Sequence, residues 1–149
     1  MPDSRKKEAL RKKSLGELGE LFAIKALVDN SFEKIENLND QQMNYPFADL
    51  YAEKEGEKYV ISIKARNKYQ KNNKLNAFYN IGTKAYKKAE AAEIEYDAEA
   101  YWMAIQFDNL TYSVYFGSLK ELNHHHSIPI RKCQEGSVGE CLVKDKRHY

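Results

Sequence analysis

Cysteine is scarce in this chain: its 149 residues hold two, Cys133 and Cys141, both near the C-terminal end. Two thiols cannot form the disulfide framework that staples small secreted domains, and a reducing, cytoplasmic setting is the simpler expectation. Long apolar runs are also missing. No stretch approaches the roughly 20 residues that a membrane-spanning helix needs, and the basic N-terminal region has no apolar core of a secretory signal. No membrane association is therefore expected. The sequence contains no internal repeat, low-complexity linker, phosphate-binding glycine loop, dinucleotide fingerprint or nucleophile elbow.

Acidic residues are absent from one long segment. Residues 64–88 carry eight basic side chains (Lys64, Arg66, Lys68, Lys71, Lys74, Lys84, Lys87 and Lys88) and no Asp or Glu. The overall formal charge is only +2, so the balancing acids lie elsewhere in the chain. Basic runs are commonly just solvated faces. A segment of this length with no compensating carboxylate instead points to a polyanion partner, steered and held by positive potential.

What the chain does have suits one folded domain. About two fifths of its residues are apolar and charges of both signs are plentiful, which argues against wholesale disorder. Residues 1–13 read as a basic N-terminal arm or a frayed helical extension, and 14–149 as a single domain. Ser14 followed by Glu17 is a capping-box signature, placing a helix start before the periodic apolar positions Leu15, Leu18, Phe22 and Leu27. A short strand is expected at 32–38 and an extended run at 47–54. A turn at Glu55-Gly56-Glu57 then leads into the strand 58–66, giving a hairpin. A helix is expected over 75–92, two strands at 101–107 and 112–116, and a short helix from Gly117-Ser118 to Leu122. This order implies a mixed α/β layout with helices packed on a central sheet.

Three polar groups stand where apolar ones would be expected. Glu20 follows Gly19 on the first helix, Asp49 lies between Ala48 and Leu50, and Lys64 ends the apolar run Ile61-Ser62-Ile63. Alternate strand residues share a face, so Val60, Ser62 and Lys64 point one way, and Asp49 from the other arm of the hairpin can meet them. A carboxylate and an ammonium in a partly dry cleft need each other, a metal or a ligand. Phosphodiester hydrolysis gives such a group a purpose. Mg2+ (or Mn2+) takes oxygen ligands, here Asp49 and the backbone carbonyl of Ile63, with Glu20 joining through a metal-bound water. Lys64 would orient the attacking water and stabilise charge in the transition state. A structural Asp–Lys ion pair, with Glu20 a surface charge, is the plainer alternative for each residue alone.

The run Gly16-Glu17-Leu18-Gly19-Glu20 with Ala23, followed by the hairpin Ala48-Asp49-Leu50 to Ile61-Ser62-Ile63-Lys64, resembles the PD-(D/E)xK nuclease superfamily. It is similar in particular to the small branch related to Holliday-junction resolvases, and the likeness covers roughly residues 14–66. It implies a restriction-endonuclease-like αβββαβ core, a mixed central sheet flanked by helices. It also implies a site built from Glu20, Asp49, Ser62 and Lys64. Ser62 stands where that family has Glu or Asp, and a neutral hydroxyl is a weaker Mg2+ ligand. Glu20 is the better substitute. Glu53, Glu90 and Glu93 are more distant candidates for the displaced acid.

The expectation is thus a divalent-metal-dependent endonuclease acting on nucleic acid, with DNA the expected polymer. The alternative is a catalytically inactive nucleic-acid-binding module on a nuclease fold. Arg66, Lys68, Lys71, Lys74, Lys84, Lys87 and Lys88 would contact the phosphate backbone, and Tyr69 could stack on a base. A homodimer suits an enzyme that must cut two strands, though no heptad pattern specifies an interface. His124, His125, His126, Cys133, Cys141 and His148 are zinc-type ligands, but their spacing matches no compact zinc site, and zinc is not expected.

Overall fold

A computed structural model describes residues 4–41, 46–143 and 147–148. Its first element, α1, is a continuous helix over Ser4–Asp29. The basic stretch before Ser14 therefore forms the opening turns of this helix, and the Ser14–Glu17 capping signature goes unused. Residues 5–13 are mostly Arg, Lys, Glu, Ala and Leu, all strong helix formers, and a mid-helix serine costs too little to stop them.

The chain then runs through β1 (Glu33–Asn37), a single turn of helix α2 (Leu38–Gln41), β2 (Leu50–Lys54), β3 (Glu57–Asn67), β4 (Phe78–Asn80), α3 (Ala85–Tyr96), β5 (Glu99–Asp108) and β6 (Thr111–Ser118). A 3-10 turn at Leu119–Leu122 follows, capped reciprocally by Ser118 and Glu121. The last elements are β7 (Ser127–Pro129), α4 (Ile130–Gln134), β8 (Glu140–Cys141) and β9 (Arg147–His148).

Among the described residues the main sheet has seven strands, in the order β1-β2-β3-β5-β6-β8 with β9 also pairing β6. β3 and β5 run parallel, and the other pairs described are antiparallel. A parallel pair requires a crossover, and α3 lies in the segment that supplies it. Apolar side chains alternate between the two faces. Leu50, Ile61, Met103 and Ile105 pack with Ala23 and Leu27 of α1. Val60, Trp102 and Ala104 pack with Ala89 and Ala92 of α3, together with Ile128 and Ile130. Truncating a fully buried residue such as Leu27 or Ile61 would cost about 2–5 kcal/mol.

Two further expectations are corrected. The helix expected from Leu75 begins only at Ala85, because Phe78–Asn80 form β4 and pair with β7. The Asn80 side chain accepts the Gly82 N–H at 2.7 Å and Gly82 takes φ +93, which delays helix entry. The extended run expected from Phe47 is also interrupted. Phe47 has φ +65, the Ala48 N–H bonds back to Pro46 O at 2.8 Å, and β2 starts only at Leu50. This break leaves Asp49 at the mouth of the β2–β3 hairpin.

Candidate active site

Asp49 is held by its backbone and its side chain together. Its N–H donates to Ile61 O at 2.8 Å and its carbonyl accepts the Leu38 N–H at 3.0 Å. Its Oδ2 accepts the Ile63 N–H at 2.8 Å. A carboxylate therefore takes the place that a β2 carbonyl would fill if the ladder continued past Leu50–Ile61. The Ile63 carbonyl points along the same strand edge as its N–H, as both groups of one strand residue do.

Glu20 reaches this point because α1 presses against β3. An added Cβ at Gly19 would lie 2.5 Å from the Ala65 Cβ, so no larger residue fits between helix and sheet. The next residue, Glu20, then approaches α2. Asn39 of α2 directs its Nδ2 to Glu20 Oε1 at 3.4 Å and to Asp49 Oδ1 at 3.3 Å. A single amide thus joins two carboxylates from distant parts of the chain. Asn39 was not legible as a site residue, since it lies in a polar connector with no periodic pattern.

The electrostatics follow from this packing. Burial raises the Asp49 pKa, opposed by the Ile63 N–H, the Asn39 amide and the Lys64 charge. Burial also raises the pKa of half-exposed Glu20, and the Asp49 charge pushes it further in the same direction. Lys64 is shifted down by burial, with Asp49 opposing and Arg66 and Lys88 adding to the shift. Two carboxylates resist ionisation and one ammonium is strained toward neutrality, the signature of charges held close together out of water.

A cavity of about 470 Å3 opens here, lined by Asn39, Asp49, Ser62 and Lys64 on one side and by Gly82, Lys84 and Lys88 on the other. Ser62 is buried and Lys64 half-buried. The opposite wall is the start of α3, whose first turn holds no acid and whose N-cap, Lys84, makes no side-chain cap bond. The N-terminal end of this helix adds positive potential to the two lysines.

The structure distributes the remaining candidates. Lys84 and Lys88 line the cavity, whereas Arg66 and Lys71 line a separate groove beside it with Arg11 and Lys12 of α1. Lys68 is turned to Asp108 at 3.8 Å and lies 5.4 Å from the Tyr69 ring centroid. Lys74 and Lys87 are exposed and line neither space. The more distant acids are committed elsewhere: Glu53 accepts the Tyr51 hydroxyl at 2.7 Å and Glu93 accepts the Ala100 N–H at 2.9 Å. Glu90 is exposed on α3 and does not line the cavity.

Among the described residues, no three His, Cys, Asp or Glu side chains gather as a metal-holding group. A cation at this site would rest on two carboxylates, Glu20 and Asp49, together with backbone oxygen and water. This donor set is all oxygen and low in protein ligands, as Mg2+ tolerates and zinc does not. Burial is the main cause of the raised pKa of both carboxylates, and a bound cation would offset it by favouring their charged forms.

No protein-family model matches the sequence, and no curated protein matches it either. Among solved structures, the chain is similar to Hjc, a Holliday junction resolvase from Archaeoglobus fulgidus. The TM-score is 0.55 and the identity 14%, over 76% of this chain and 87% of that one. The mixed sheet flanked by helices, with the β2–β3 hairpin against α1, is therefore the restriction-endonuclease-like fold of that resolvase, in agreement with the resemblance carried by residues 14–66.

Proposed function

We propose that this chain is a divalent-metal-dependent endonuclease that hydrolyses nucleic acid phosphodiester bonds, with DNA as its polymer and Mg2+ or Mn2+ as its metal. One observation carries the reading: Asp49 and Lys64 line one cavity with a basic far wall, and the Asn39 amide, on the same wall, ties Glu20 of α1 to Asp49. Glu20 and Asp49 would hold the cation, with the Ile63 carbonyl as a further oxygen donor. When bound, the metal supplies Lewis acidity and a water acidified enough to act as nucleophile near neutral pH.

The chain's own residues do the rest. Asn39 holds Glu20 and Asp49 in one orientation, so neither carboxylate reorganises when substrate arrives. Lys64 places an ammonium, strengthened by partial burial, against the non-bridging phosphoryl oxygens as negative charge builds on them. The Ser62 hydroxyl lines the same wall and offers a neutral hydrogen-bonding group. Lys84, Lys88 and the N-terminus of α3 hold the adjoining phosphate. Cys133 and Cys141 are thiols and not a disulfide, which suits a cytoplasmic setting, and a homodimer is the assembly that would serve two-strand cutting.

Ser62 supports a second reading, a nucleic-acid-binding module that retains the fold without cleaving. Incubation of plasmid and branched DNA with Mg2+ or Mn2+ separates the two. Metal-dependent nicking that disappears in Asp49→Asn and Lys64→Ala establishes the nuclease. Salt-sensitive binding with no product from any of the three proteins establishes the binding module.

A further inference from the structure

Gly19 is explained by its contact with Ala65, but Gly16, one turn earlier in α1, has no such explanation. A Cβ at Gly16 would meet nothing within 4 Å, and its backbone is ordinary helix. Glycine inside a helix costs about 0.5–1 kcal/mol relative to alanine. A bare patch kept at that cost, with no intramolecular neighbour to require it, suits close approach of a ligand to the helix surface.

Gly16 and Ala65 floor a groove of about 840 Å3. Arg11 and Lys12 of α1 and Arg66 and Lys71 beyond β3 line it, and among the described residues no acidic side chain does. Tyr69 lines the groove and is 49% exposed. Its position is preformed. Tyr69 bridges to Leu75, the Gln70 N–H donates to Lys74 O at 2.7 Å, and Asn76 Nδ2 donates to Asn67 O at 2.6 Å. Lys64 lines the cavity on the α3 face of the sheet, and the next residue of β3, Ala65, lines the groove on the α1 face.

We propose that this groove binds a single-stranded segment of nucleic acid, its phosphates on the four cations and one base stacked on Tyr69. Bases in a duplex are already stacked on each other, whereas an unpaired base has a free face for an aromatic ring. An exposed tyrosine between cations, over a floor of glycine and alanine, matches that unpaired chemistry. Binding in the groove does not depend on the endonuclease reading.

The test is fluorescence anisotropy of labelled oligo-dT, oligo-U and a blunt duplex of equal length, with the full chain and EDTA present. Single strands should bind more tightly than the duplex, and the two single strands separate a DNA from an RNA preference. Tyr69→Ala should weaken single-strand binding by about tenfold, and Gly16→Leu should weaken it at least as much, while both leave duplex binding unchanged. Gly16→Ala, checked by thermal unfolding, should be at least as stable as the parent, which shows that position 16 tolerates a side chain. Equal affinity for duplex and single strand, or undiminished single-strand binding in folded Gly16→Leu, would overturn the proposal. Tyr69-dependent binding without any cleavage would leave the groove assigned and remove the nuclease; cleavage without single-strand preference would do the reverse.

Discussion

Gly19 and Ala65 touch so closely that a methyl group on the glycine would fall 2.5 Å from the Ala65 Cβ. This contact sets the height of α1 above β3 and carries Glu20 to Asn39. Gly19→Ala must therefore push helix and sheet apart. Overpacking of this kind costs about 1–3 kcal/mol, read as a lower midpoint in urea. It should also lower cleavage, because Glu20 moves with the helix. Gly16→Ala should do the opposite to stability, adding about 0.5–1 kcal/mol in the same measurement.

Much of this was legible in the sequence, for physical reasons. The β2–β3 hairpin announces itself through strand-forming residues on both sides of Glu55-Gly56, and the misplaced charges Asp49 and Lys64 stand out against an apolar pattern. The residues before Ser14 left an arm and a helical extension both open, because Ser14 offers a local cap; stronger helix formers on both sides override it, and α1 runs from Ser4. The entry to α3 was misread because Asn80, Gly82 and the pairing of Tyr79 with Ile128 act through a turn and a distant strand. Asn39 was invisible for a similar reason: its role depends on Glu20 and Asp49 arriving from 19 and 10 residues away.

Asn39→Ala should separate positioning from ligation. The two carboxylates lose their shared donor but keep their places on α1 and beside β3. Groups that orient metal ligands typically contribute 10–100-fold, so Mg2+ affinity measured by calorimetry should fall by about that factor. Asn39→Asp would instead add a third negative charge and should tighten metal binding relative to Asn39→Ala, while lowering the stability of the metal-free protein.

Stability should depend on pH through Asp49. Its folded pKa lies above its ordinary value of 3.8, chiefly through burial, so the folded state binds the proton more tightly than the unfolded state. That stabilisation is full below the unfolded value and is lost as pH rises through the folded one. The metal-free protein should therefore weaken as pH climbs out of the acid range, with half-exposed Glu20 adding a smaller effect of the same sign. Asp49→Asn should flatten this dependence and raise the neutral-pH Tm by a few degrees, where about 1 kcal/mol shifts Tm by about 2–4 °C. Saturating Mg2+ should stabilise the parent at neutral pH, by about 2.7 kcal/mol at one hundred times its Kd, and leave Asp49→Asn unmoved.

Charge on the far wall of the cavity should govern affinity more than chemistry. Lys84→Gln combined with Lys88→Gln removes two phosphate contacts and leaves Glu20, Asp49 and Lys64 in place. DNA binding should weaken across all sequences, and the slope of log K against log salt should fall by about 2, near 0.9 per lost contact. Equilibrium binding at several salt concentrations checks this directly.

The most direct test of the central claim is single-turnover cleavage of labelled branched DNA, at saturating protein with Mg2+ or Mn2+, by the parent chain, Asp49→Asn and Lys64→Ala. The account predicts product from the parent only when metal is present, and a loss of at least about a hundredfold in each variant with DNA binding retained. Cleavage that survives both substitutions, or a parent that binds DNA and yields no product with either metal, would contradict it.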